Sequence, residues 1–340
     1  MASNPSDLSR RRFMAGTAAG IATSVVLPNP LATHAAEAPS KKSKSKKKMP
    51  QSETLVTQLY KSMTEEQKKP ICFEFDHQLR QRVDNNWHIT KSRVGTVFNK
   101  DQQDLVRQIF VGLHSPEYAA NVLKAVEHDN GRGGIGGCAV AFFGEPGTGK
   151  FEFVFTGRHV TRRCDGDSVE GAAFGGPIFY GHAAKSFNEP ADHAGNVYWF
   201  QGIAANKAFQ MLDRKQREQS LRTDNRRERG NQTVAITRNK ANRHGVPIAD
   251  LSADQKAEVS KTMAALLAPF RKEDADEVMK IVNSTGGLDS LHMAFYKNRD
   301  IGNDGVWDVF QIEGPQMVWY FRGAPHVHTW VHVKNPKSTA

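Results

Sequence analysis

Apolar and polar positions alternate through Phe151, Glu152, Phe153, Val154, Phe155 and Thr156, a period of two that predicts a strand with one face in the core. The preceding "CAVAFFGE" is strand-like as well, so the "EPGTG" between them reads as the loop of a β-hairpin. Gly144 to Lys150 also match the spacing of a phosphate-binding loop. Phe151, however, stands where Ser or Thr would ligate magnesium, and a strand follows where the phosphates need a helix N-terminus. No nucleotide cofactor is expected.

Strand patterns fall in two blocks, about 137–180 and 291–333, the second holding "LHMAFYK", "WDVFQIEG", "PQMVWYFRG" and "HVHTWVHVK". Helix starts are marked by a cap residue three positions before a glutamine: Thr64/Gln67, Asn99/Gln102, Asp213/Gln216 and Ser252/Gln255. Two of these open amphipathic runs, one with Leu105, Ile109, Phe110 and Leu113 on a face, the other with Val259, Met263, Leu266 and Leu267. Strands joined by short Gly-containing connections, with helices in separate blocks, predict an α+β fold. Its sheet is mainly antiparallel, built from the two strand blocks and covered by the amphipathic helices.

The 340 residues carry a net charge of +10, which at first suggests a polyanion as partner. Nine basic and two acidic residues lie before position 49, so most of that charge belongs to the N-terminus. "SRRRFMAGTAAGIATSVVL" there has the arrangement of a twin-arginine export signal: Arg10, Arg11 and Phe13 precede a mildly apolar segment. The expected organisation is a signal peptide over 1–38, a basic disordered linker over 39–55 and one α+β domain over 56–335. The twin-arginine export machinery is then a partner, and the mature chain is periplasmic or extracellular with no transmembrane anchor. The Arg-rich stretch 213–245 mixes in Asp and Glu and has no aromatic residue, so it reads as solvated helix and loop, with no nucleic acid expected. Cys72, Cys138 and Cys164 read as small buried residues, with a Cys138–Cys164 bridge as the alternative.

Histidine offers the chemistry. On a strand, "HVHTWVHV" puts His326, His328, Trp330 and His332 on one face and Val327, Thr329, Val331 and Val333 on the other. Two imidazoles one residue apart project side by side, as a strand offers them to one ion. His159 continues the Phe151/Phe153/Phe155 face, and with His326 and His328 it would make a three-imidazole site for Zn²⁺ or Cu²⁺. His88 and His292 are further candidates for the same cleft. Glu145, at the mouth of the hairpin, is the carboxylate placed to act as a general base.

The motifs "NNWH", "FFGEPG", "TGRHV", "GLDSLHMAFYK", "QIEGP" and "PHVHTWVHV" occur in an order that resembles the bacterial domain-of-unknown-function family 3500, over most of residues 62–335. Members of that family often have "GHH" where this chain has Gly157-Arg158-His159, keeping the second His alone. The resemblance implies no mechanism. Two functions remain open: an exported metalloprotein, or a non-catalytic cell-envelope binding module. In the second, Trp307, Trp319, Tyr320 and Trp330 present an aromatic face to a small molecule or envelope ligand.

Overall fold

The computed structural model describes residues 51–183, 193, 195–224, 226–298 and 307–337. All of them belong to one compact unit, 49–340. The expected export signal and most of the linker lie outside the described residues. The folded part begins earlier than the sequence suggests, because residues 51–55 are helical and Ser52 and Glu53 are buried.

Among the described residues eleven strands form one sheet in the order β1-β2-β3-β4-β5-β11-β10-β9-β8-β6, with β7 pairing on β8. The order reads alike from both edges, because the chain builds the same arrangement twice. The first half runs α1 (Gln51–Ser62), α2 (Glu65–Lys68), β1 (Cys72–Phe73), α3 (Val94–Val97), α4 (Lys100–Gly112) and α5 (Ala119–Asp129). Four antiparallel strands follow: β2 (Ala139–Gly144), β3 (Phe151–Gly157), β4 (Val160–Cys164) and β5 (Ile178–His182). The second half runs α6 (Trp199–Met211), α7 (Arg214–Ser220), β6 (Leu221–Arg222), β7 (Val246–Pro247), α8 (Ala253–Leu267) and α9 (Lys272–Ser284). It ends with β8 (His292–Tyr296), β9 (Val309–Glu313), β10 (Met317–Arg322) and β11 (Val327–Val333). In each half the short strand lies parallel to the first of the four, β1 on β2 and β6 on β8. The last strands, β5 and β11, pair antiparallel and join the halves about an approximate two-fold. The sheet is therefore mainly antiparallel, as expected.

The glutamines explain how each half closes. All four expected capping boxes form. Each glutamine then has an amide left over, and the boxes meet in pairs: Gln67 Nε2 donates to Gln102 Oε1 (2.8 Å) and Gln255 Nε2 to Gln216 Oε1 (2.7 Å). The repeat extends to backbone partners. Gln102 reaches Ser62 O at the end of α1 (3.0 Å), and Gln255 reaches Met211 O at the end of α6 (2.8 Å).

One sheet face carries Phe142, Phe153, Phe155, Ile178, Met293, Phe310, Trp319 and Val331 against the helices, the largest core cluster. The other face is covered too, which the period-two pattern does not reveal. Trp87 and Ile89 lie over Ala139, Ala141 and Val154, while Val83 and Val234 lie over Phe179, Tyr320 and Trp330. Glu152 on β3 is consequently fully buried, tied to Arg80 (3.1 Å) and Arg163 (2.5 Å). The stretch expected to be solvated loop before position 245 supplies part of this cover. "EPGTG" is the β2–β3 hairpin loop: Gly144 has φ +70°, and a Cβ there would run into the Lys150 carbonyl. The three cysteines are free. Cys138 precedes the start of β2, near the end of β3, and Cys164 pairs with Phe153 further back along β3, so the register keeps the two apart.

Candidate functional site

At the junction of the halves, the start of β11 lies level with the end of β5: Val327 pairs with His182 and His328 with Gly181. The turn from β3 to β4 folds over this end, where Gly181 N–H donates to the His159 carbonyl (3.1 Å). A Cβ on Gly181 would collide with the Val327 carbonyl, so only glycine lets the three segments approach. The turn thereby delivers His159 to the two strand histidines.

Ring centroids are 5.0 Å apart for His159 and His326, 5.1 Å for His159 and His328, and 4.8 Å for His326 and His328. The Nε2 atoms of His326 and His328 are 3.0 Å apart. One ring nitrogen from each of the three lies within 4.8 Å of the others. All three are buried, with 4, 5 and 7 % exposure for His159, His326 and His328. A tetrahedral ion with N-bonds of about 2.0–2.1 Å holds its donors roughly 3.3 Å apart, so small ring shifts would seat one.

Carboxylates stand behind the rings. His328 Nδ1–H donates to Glu228 Oε2 (2.7 Å), which fixes the tautomer and leaves the Nε2 lone pair facing His326. Arg322 pairs with the same carboxylate. Burial acts to raise the Glu228 carboxyl, but His328 and Arg322 outweigh it and hold it at about 2. Burial first, then Arg322, lowers His328 to about 3, so its imidazole is neutral, the form that ligates metal. Asp129, at the end of α5, has its Oδ2 3.0 Å from His159 Nδ1 and 2.9 Å from His182 Nδ1. Burial works against its charge, yet the two imidazoles outweigh it and hold the carboxyl below its usual range.

The other expected residues lie elsewhere. Glu145 is exposed in the hairpin loop, at the opposite end of β3 from His159 and roughly 20 Å away along that strand, so it serves no base at this site. His88 Nε2 meets the Gly137 carbonyl (3.2 Å) near β2. His292 opens β8, three strands from β11. His332 shares the face of His328, but its Nδ1 donates to Val234 O (3.3 Å) further along β11. Trp330, between them, is fully buried against Phe179 (4.6 Å). Trp319 and Tyr320 are also fully buried and Trp307 is half-buried, so the aromatic residues form no ligand face.

A family model described as "Protein of unknown function (DUF3500)" matches residues 45–337. The chain is a member of the DUF3500 family. Neither the curated proteins nor the solved structures give a match. In this DUF3500 chain no described helix is long and apolar enough to cross a membrane. Sequence reasoning missed Asp129, His182, Glu228 and Arg322. "EHDN", at the end of a helix and ahead of a glycine-rich turn, was the available signal for Asp129; nothing local marks Glu228 among the arginines of 226–229.

The approximate two-fold supplies an internal comparison. Gln316 occupies the β9–β10 turn as His159 does the β3–β4 turn, and its carbonyl likewise accepts from the third segment, from Lys334 N just past β11 at 2.8 Å. No imidazole stands in that turn. The fold therefore does not require His159 in order to close; the residue is specific to one half.

Proposed function

We propose that the protein is an exported metalloprotein in which His159, His326 and His328 bind one Zn²⁺ or Cu²⁺ ion. The observation that carries this reading is the convergence of three buried imidazoles from two distant parts of the chain, with a carboxylate behind His328 that fixes a lone pair toward His326. Burying three such rings costs desolvation, which coordination would offset. The twin-arginine leader agrees with this, since that route carries proteins already folded, and a metal can be loaded before export. The expected location is periplasmic or extracellular.

Elemental analysis of untagged protein recovered after export tests the reading. At least one equivalent of metal per chain is expected. His326→Ala or His328→Ala should remove most of it, while Val327→Thr, on the helix-facing side, keeps the stoichiometry and lowers stability by about 1–3 kcal/mol through its buried hydroxyl. A wild-type chain that holds no metal and takes up neither Zn²⁺ nor Cu²⁺ on titration would remove the reading.

A further inference from the structure

Asp129 is surrounded by ring nitrogens of one kind. His182 Nδ1 lies 2.9 Å and His159 Nδ1 3.0 Å from its Oδ2, and His128 Nδ1 lies 3.8 Å from its Oδ1. His128 and His182 meet edge to face at 5.4 Å between centroids. The His159 contact is close but not aligned as a hydrogen bond, so its buried Nδ1 has no hydrogen-bond partner. At His159 the close approach leaves Nδ1 without a competing bond, whereas His182 Nδ1 is hydrogen-bonded to Asp129 Oδ2, a bond that an ion between them would replace as the His182 ring proton moves to Nε2. His128, Asp129 and His182 also satisfy the distances of a metal-binding group by themselves.

We propose that a second divalent transition ion is held by His128, Asp129 and His182, on the Nδ1 side of His159. The His159 ring then stands between two ions, its Nε2 serving the first site and its Nδ1 the second. This bridging role rests on the first-site reading; the other three ligands belong to neither His326 nor His328. A ring that bonds two ions has lost both ring protons, so loading the second ion replaces the Nδ1 proton, which leaves to solvent. The two sites differ in access. The His128 side chain is 53 % exposed, whereas the first site is closed on every side chain, so the second ion exchanges first.

Copper(II) titration of the chelator-stripped full-length chain tests this, followed by electron paramagnetic resonance. Two equivalents should bind, the first giving an isolated copper signal and the second diminishing it as the shared ring couples the spins. His182→Ala should bind one equivalent with the signal undiminished. Because His128 is exposed, His128→Ala tests the same point with little risk to folding; it should weaken the second equivalent at least tenfold and leave the first unchanged. Saturation of the wild type at one equivalent overturns the second site and leaves the first standing. No binding at all removes the first-site reading as well. Two equivalents retained unchanged in both variants would assign the second ion to other residues and overturn the proposal.

Discussion

A buried imidazole that hydrogen-bonds through one nitrogen has a lone pair on the other, and the group behind it decides how firmly that lone pair is aimed. Glu228→Gln keeps the shape and an acceptor but removes the charge that His328 and Arg322 share. Metal affinity should fall 10–100-fold, measured by competition with a chelator, and stability should fall by roughly 1–3 kcal/mol because Arg322 stays buried without its counter-charge. His332 tests burial without a ligand role. Its folded value is about 4, lowered by burial, against about 6.5 unfolded. Between these values the unfolded chain takes a proton that the folded chain refuses, so stability present above about pH 6.5 is lost as pH falls toward 4. Buried Asp165 and Asp274, raised to about 7 and about 6, act in the opposite sense: their contribution is present at low pH and lost as pH rises through those values. His332→Gln separates the terms. In urea melts at pH 4.5 and 7, its stability relative to wild type should rise toward the acid end, by on the order of 2 kcal/mol. At this scale the three imidazoles were legible, because strand parity sets His326 beside His328 and one hairpin turn carries His159. The carboxylates came from a helix end and a loop, whose directions no periodicity encodes.

Among the elements, the capping boxes were the most legible feature, since cap and glutamine sit three residues apart whatever the rest of the chain does. Their pairing was not legible, because it joins residues 35 or 39 apart in sequence. Gln102 is buried and serves the Asn99 N–H, the Ser62 carbonyl and Gln67 together. Gln102→Ala should therefore cost more than a solvent-exposed cap, about 2–3 kcal/mol in chemical denaturation. Adding Gln67→Ala should cost less than the sum of the two single changes, because the amide orphaned by the first change is removed by the second. Additive losses would mean that the Gln–Gln contact contributes nothing.

For the whole molecule, the α+β class followed from the strand blocks, while the cover on the second sheet face did not. The segments that cover it are polar and rich in arginine, and only a few apolar residues such as Val83 and Val234 face inward. The expected start at residue 56 also falls short, because α1 begins at Gln51, buries Ser52 and Glu53, and pairs that Glu53 with Arg271 (2.8 Å). A chain beginning at Gln51 should keep the melting transition of the full chain, whereas one beginning at Met63 should lose cooperative unfolding. The seam between β5 and β11 has a wider consequence. His159 and Asp129 come from one side of it, His326 and His328 from the other, so the ion would act as a clasp that is complete only when the halves are docked. By mass action, a clasp of this kind ties assembly to metal supply: two polypeptides cut between β5 and α6 should associate more tightly as free zinc rises, and drift apart in chelator.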